Sequence, residues 1–390
     1  MTILLYRYGN ICEPALIHAF QQHNITIVEE TAEITDKELT ASRRIEKMHN
    51  LINQHHPLFV FSINFFPSIA EICHLHNTLY LCWTVDSPVL ELFSGALKYQ
   101  TNRIFMFDRA QYEYFAPFNP DCIHYLPLAS DVEHFISVNN TITANERRQY
   151  SHDISFIGSL YNEKNPLNKL SLPPYTQGYI NGMVNASLKV YGYNFLEELV
   201  NNDMVEALKT AGADFYEPDK PLTSPDYYIA AHSYIGYQVA ETERIQTLNT
   251  LAQYFSVDLY TRSNTTALEN VNIHGGVKTL TEMPKIFHLS KINLNMTIKP
   301  IQTGLPLRIF DIMGCSGFLM TNYQAELTEL FEIGVDLEAY SSLEELIDKC
   351  AFYLKHENER TKIALNGYEK VRKYHTYQHR IAEMLGQIVK

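Results

Sequence analysis

The stretch KINLNMTIKPIQTGLPLRIFDIMGCSGFLMTNYQAELTELF, residues 291–331, decides how the rest of the chain is read. Residues 292–296 are a short apolar run that predicts a strand, followed by a loop carrying Thr303 and Gly304. Pro306 stands where a first helical turn tolerates proline, because an N–H there would lack an intrahelical partner anyway. The spacing predicts a helix from Pro306 to about Cys315, with Ile309, Ile312 and Met313 as its apolar strip and Phe310 and Gly314 alongside. Gly317 punctuates, and 318–320 predict another strand. Arg308 and Asp311, three residues apart, emerge on one face near the helix's positive end. A cation, an acid and free backbone N–H groups at one helix start suit a phosphate-bearing ligand. The competing explanation is a surface ion pair worth about 0.3 kcal/mol.

Working outward, alternation of strand and helix extends in both directions. Strands are predicted at 3–6, 26–29, 58–62, 79–83, 104–107 and 123–126, with helices between them. That spacing argues for parallel βα units in a Rossmann-like sheet. Ligands then sit beyond the carboxyl ends of the strands, which directs attention to Gly9-Asn10, Asn64-Phe65-Phe66, residues 84–88, Asp108-Arg109 and residues 127–129. The text turns polar at 137–151, where a domain boundary is expected between a first domain, 1–140, and a second, 150–374. The second opens with a strand at 154–157 that ends in Gly158-Ser159. Residues 165–255 show little strand character and predict a helical insertion. Alternation resumes at 257–260, and the chain closes on helices at 342–356, 359–374 and 377–389.

Composition sets limits. A chain of 390 residues with 46% hydrophobic content can bury two sizeable cores. The formal net charge of -13 argues against a binder of duplex nucleic acid or of an anionic membrane. A local basic pocket is compatible with it, and peripheral membrane contact stays open. No apolar run approaches the length of a membrane span. The six cysteines lie far apart without a C-x-x-C, so neither a zinc site nor a disulfide framework is expected. The close pairs His55-His56 and His74-x-His76 have no acidic partner in register. A strand-like start at 1–3 leaves no leader expected, and a cytoplasmic protein is.

Several motifs resemble one family. Residues 290–295, 304–315 and 317–323 resemble the C-terminal signature of GT-B glycosyltransferases of the group-1, spore-maturation-protein-like type. FSINFFPSIAEIC at 61–73, WTVDSP at 83–88, FMFDR at 105–109 and LPLA at 126–129 resemble its N-terminal signatures, so the likeness spans both halves. Ser316 departs from the family's glycine. The resemblance implies two Rossmann-like domains facing a cleft, the insertion in the second, and a last helix (375–390) that crosses back to the first. It also implies glycosyl transfer from a nucleotide sugar, with a UDP-sugar as the commonest donor. The acceptor would be a glycan, a lipid-linked glycan or a protein, as in bacterial glycan or glycoprotein biosynthesis.

The same resemblance implies site residues. Gly158 and Ser159 form a small-residue loop that a phosphate or sugar can approach. Tyr260 and Arg262 face the cleft, and Val277 lies in the loop whose main chain meets the base. Arg308 and the N–H groups near Thr303 and Gly304 stabilise the leaving diphosphate with no metal and no other cofactor. The superfamily's paired acids, E-x7-E, fall on Thr303 and Asp311 here, which keeps ribose binding and departs at the sugar. Asp86 is the expected general base if the reaction inverts, with Glu13 and Asp108 as alternatives; a retaining reaction needs none. An epimerase of the same architecture would need an acidic and histidine constellation not identified in the sequence. A silent nucleotide-sugar scaffold could dispense with Arg308 or Asp311.

Overall fold

A computed structural model describes residues 1–388. The chain forms two compact units: Met1–Leu128 with Tyr216–Pro225 and the segment from Thr376, and Ala129–Phe215 with Asp226–His375.

The first unit is built on β1 (Thr2–Tyr6), β2 (Thr26–Glu30), β3 (Phe59–Ile63), β4 (Leu79–Trp83), β5 (Asn102–Met106) and β6 (Ile123–Tyr125). All pair in parallel, in the order β2-β1-β3-β4-β5-β6. Central strands such as β3 are buried along their whole length, because helices cover both faces of a parallel sheet. That explains why they read as continuous apolar runs rather than as alternating ones. The strand order reverses between β1 and β3, and a crevice at their carboxyl ends is where such a sheet accepts a ligand.

The second unit repeats the design with β7 (Ile154–Ile157), β8 (Val257–Tyr260), β9 (Asn272–His274), β10 (Ile292–Asn295), β11 (Leu319–Asn322) and β12 (Glu338–Tyr340). Its order is β12-β11-β10-β7-β8-β9, again all parallel. Here the reversal falls between β7 and β10. Between β7 and β8 the described chain is helical, including Pro174–Ser187, Asn202–Thr210 and Gly236–Leu251. The core joins Phe156, Leu259, Leu294 and Met320 from the strands to Leu248, Leu346 and Ile363 from helices.

Three details differ from the sequence expectation. The units divide at Leu128/Ala129, before the expected boundary at 140–150. The polar stretch there forms helices Val132–Asn139 and Ala144–Tyr150, held by the second unit. Lys285 Nζ meets Glu146 Oε1 at 2.6 Å, and the His134 ring lies 2.8 Å from the Leu280 carbonyl oxygen. Tyr216–Pro225, inside the expected insertion, belongs to the first unit. Its backbone pairs there, Gly95 N–H donating to Lys220 O at 2.8 Å and Leu222 N–H to Phe93 O at 2.8 Å. Strand β12 was not foreseen, since three residues carry no periodic signal. Within the first unit the last helix, Tyr377–Ile388, packs on Glu13–Gln22. Arg380 Nε donates to Pro127 O at 2.7 Å, and the Trp83 ring meets the Tyr377 ring edge-on.

Candidate functional site

The reversal between β7 and β10 places two cavities beyond the carboxyl ends of those strands. One, of about 300 Å³, is lined by Gly158, Ser159, Tyr260, Arg262, Val277 and Arg308, together with Lys164. A second, of about 220 Å³, shares Gly158, Ser159, Lys164 and Arg308 and continues to Arg244 and Met296. Six of the sequence-predicted residues are thus brought to one wall. A larger cavity of about 670 Å³ lies at the amino ends of the strands, beside Ser151–Asp153 and Lys291. It is at the wrong end of the sheet for the chemistry of this fold.

The wall is cationic. Lys164, Arg262 and Arg308 all line the first cavity, with Glu163 as its one carboxylate. The helix Leu307–Gly314 starts after Pro306, which itself lines the second cavity. Arg308, half-buried, lies with its guanidinium 5.3 Å from the Phe287 ring centre and its Nη1 against Met283 Sδ. Burial lowers its pKa and Asp311 opposes the shift; a guanidinium remains charged in either case. Gly276 lets Arg262 lie across the loop, since a Cβ there would stand 2.4 Å from Arg262 Nε.

Arg244 and Lys164 escaped the sequence reading. Arg244, in the helix Gly236–Leu251, donates through Nη1 to Ser159 O and through Nη2 to Met296 O at 2.7 Å. It ties the loop after β7 to the loop after β10, and its buried Nε has no hydrogen-bond partner. Arg244 and Lys164 both lie over the Tyr161 ring, at 4.7 and 5.1 Å. A mid-helix arginine in a featureless helical segment carries no local signal. The turn Gly158-Ser-Leu-Tyr-Asn-Glu-Lys164 could have given Lys164, because a basic side chain just past a small-residue loop suits an anion.

Other expected residues sit differently. The Ser159 hydroxyl donates to Glu163 Oε1 at 2.6 Å and accepts from Tyr161 N–H at 2.8 Å, so it shapes the loop. Thr303 and Gly304 line neither cavity. Thr303 Oγ1 donates to the buried Glu326 carboxylate at 2.8 Å, and Gly304 O accepts from Gln324 Nε2 at 3.3 Å. These contacts fix the path of the chain into the site helix.

Asp311 is not on a cavity wall either: it is only 7% exposed, one turn below Arg308. Burial pushes its carboxyl up to about 7 from 3.8, Arg308 pulling it back and Asp131 adding to the rise. An acid raised in the folded state contributes stability below pH 4 that is lost as pH rises through about 7. Asp311→Asn is therefore expected to raise Tm at pH 8 and to flatten the decline in Tm between pH 5 and 8. Thermal melts of both proteins across that range check this; parallel curves would refute it.

In the first unit the reversal between β1 and β3 also gathers polar groups. Asn64, following β3 with φ of 57°, donates from Nδ2 to Asp86 Oδ2 at 2.7 Å and to Tyr8 Oη at 3.1 Å. Its Oδ1 accepts from Val85 N–H at 3.0 Å, so Asn64 fixes the loop that carries Asp86. Burial, and then the Asp86 charge, raise the Tyr8 pKa well above its ordinary value. Asp86 is exposed, whereas Glu13 is buried and committed. Glu13 Oε1 accepts from the N–H groups of Tyr8, Gly9 and Asn10, each at 2.9 Å, and Oε2 from Arg7 Nε at 2.9 Å. Asp108 is buried as the cap of the helix Arg109–Phe115, accepting from Ala110 N–H. Of the three carboxylates only Asp86 is available to a reactant.

Residues 244–386 match a family model described as glycosyl transferase-like. No curated protein matches the sequence. Among solved structures, HepE of Anabaena in complex with UDP and glucose is 12% identical over 99% of each chain, with a TM-score of 0.55. A glycosyltransferase from Rickettsia africae is 10% identical over 100% of this chain and 98% of its own, at 0.52. The N-terminal domain of trehalose-6-phosphate phosphatase from Candida albicans is 11% identical over 99% and 97%, also at 0.52. Likeness at such identities is likeness of fold. The chain has the GT-B fold, with two parallel six-stranded sheets and a glycosyl transferase-like region over residues 244–386.

Proposed function

We propose that this protein transfers a glycosyl group from a UDP-sugar to a glycan, lipid-linked or protein acceptor in the cytoplasm. It would do so in the manner of the spore-maturation-protein-like glycosyltransferases. The observation that carries this is the convergence of Lys164, Arg262 and Arg308 on one cavity at the strand reversal of the second sheet, in a chain of net charge -13. Cations concentrated there, against the acidic whole, match a diphosphate. HepE, a protein of the same fold, is known in complex with UDP-glucose.

In the proposed reaction the diphosphate lies along the loop after β7 and the start of the site helix. Arg308, Lys164 and backbone N–H groups take up the negative charge that develops as the glycosidic bond breaks, so the leaving group needs no metal. Arg244 is a positioning residue that holds the two loops at a fixed spacing. Asp86, oriented by Asn64, removes the proton of the acceptor hydroxyl as it attacks.

Two measurements test this. UDP at a hundred times its dissociation constant should stabilise the protein by about 2.7 kcal/mol. GDP and dTDP at the same concentration should do less, and equal shifts for all three would remove the uridine assignment. Separately, Asp86→Asn should lower turnover by about 100-fold or more while UDP binding is unchanged. Unchanged turnover in that variant would mean that the reaction runs without a base at Asp86.

A further inference from the structure

At the β9 edge of the second sheet three side chains converge that the transfer reaction does not use. His152 lies two residues ahead of β7, Asp258 lies on β8, and His274 ends β9. His152 Nδ1 is 3.2 Å from Asp258 Oδ2, and His274 Nε2 is 2.8 Å from Asp258 Oδ1. The donor atoms of all three lie within 4.8 Å of one another. None of them lines the cavities that hold Arg308. We infer that His152, Asp258 and His274 form a binding site for a divalent transition-metal ion of the zinc class.

The donor set suits such an ion. Imidazole nitrogens and one carboxylate are ligands of zinc and its first-row neighbours, whereas magnesium and calcium favour oxygen. Three protein ligands leave a fourth position for water. In a tetrahedral zinc site ligand nitrogens stand roughly 3–3.5 Å apart, given Zn–N bonds of about 2 Å. The two His–Asp distances, 3.2 and 2.8 Å, are already near that spacing, and His274 stands on a three-residue edge strand with 34% of its side chain exposed. The same exposure gives the ion a way in.

The outer contacts also fit. His152 Nε2 lies 2.7 Å from Tyr260 Oη, so with Nδ1 on the metal the remaining ring proton would sit on Nε2 and donate to that oxygen. A metal-bound imidazole is commonly fixed by such a second hydrogen bond. Tyr260 also stacks on the His274 ring, centroids 4.4 Å apart and planes 16° apart, which holds that ligand in place. Strand β9 has β8 as its one sheet partner. An ion bound by His152 ahead of β7, Asp258 on β8 and His274 on β9 would fasten that edge to the rest of the sheet.

The test uses the full chain, stripped with chelator, desalted, and titrated with Zn²⁺ or Co²⁺ in the absence of nucleotide. Expected are one ion per chain, a rise in Tm of several degrees, and the visible absorption bands of tetrahedral Co²⁺. His274→Ala, at an exposed strand end, and Asp258→Asn should each weaken binding at least tenfold, with circular dichroism confirming that both fold. The exposed pair His49 and His76 of the first unit, 2.8 Å apart, is the competing chance binder, so His76→Ala is the control. Binding that survives His274→Ala and disappears in His76→Ala would overturn the proposal. So would failure of the unmodified protein to bind either ion at about 100 times a typical micromolar affinity. Because no nucleotide is present, the result is independent of whether the cationic cavity binds a donor.

Discussion

Arg308→Ala is expected to lower kcat/KM for nucleotide-sugar turnover by about 100- to 1,000-fold, a loss of about 3–4 kcal/mol of transition-state stabilisation. The side chain lines both cavities, as Lys164 does. Its guanidinium is already fixed, over the Phe287 ring and against Met283, so little conformational entropy is lost when it meets a phosphate. A surface arginine in an ion pair would give a far smaller effect, about 0.3 kcal/mol, and the difference in scale decides between the two accounts. Arg308→Lys should recover only part of the loss, because an ammonium keeps the charge but not the planar fork. Steady-state kinetics with thermal melts of the free variants is the measurement. A variant that melts like the unmodified protein yet loses the UDP-induced rise in Tm supports the assignment. Full turnover in Arg308→Ala would remove it.

Much of this site was legible because its signals are local. The strand, the loop, Pro306 at the helix entry and the apolar strip Ile309, Ile312 and Met313 all lie within about twenty consecutive residues, and the observed helix Leu307–Gly314 follows them. Gly158, Tyr260 and Arg262 were named through the family resemblance, and they lie at or just past strand ends, where parallel sheets accept ligands. What escaped depends on pairing between distant segments. Arg244 matters through carbonyls at 159 and 296, and nothing in its own helix announces that. Asn64 was noted only as part of a loop, yet it holds the Asp86 carboxylate from 22 positions away. Asp311 is buried rather than presented to the cavity: three-residue spacing from Arg308 gives the same side of the helix but does not say how deep that side is buried. The proposed metal cluster was missed because its three residues come from separate segments, His152 ahead of β7, Asp258 on β8 and His274 on β9, and sequence spacing reveals a site only when two ligands share an element.

Packing behind the site helix gives the other large effect, on stability. The helix Glu357–Tyr374 rests against Leu307–Gly314, and Gly367 lies where it also meets the loop at Asp336. A Cβ there would stand 2.2 Å from Asp336 O and 3.1 Å from Met313 Sδ. The thioether can turn away, but the carbonyl cannot, because the Asp336 backbone is pinned. Asp336 N–H donates to Glu332 O at 2.8 Å, while Oδ2 accepts from Glu332 N–H at 2.8 Å and from Lys370 Nζ at 2.7 Å. Gly367→Ala must therefore push the helix Glu357–Tyr374 away from the loop at Asp336. Overpacking of this kind costs about 3 kcal/mol, against which alanine's better helix propensity returns about 1 kcal/mol. The net loss of about 2 kcal/mol should lower Tm by roughly 4–8 °C. Gly182, in the exposed turn of the helix Pro174–Ser187, has no neighbour within 4 Å of its would-be Cβ. Gly182→Ala should accordingly raise stability by about 0.5–1 kcal/mol through propensity alone. Opposite signs from the same substitution in two helices would locate the difference in the contact with Asp336. If both variants were stabilised, the helix behind Arg308 would have room to move, and the fixed geometry proposed for that guanidinium would lose its support.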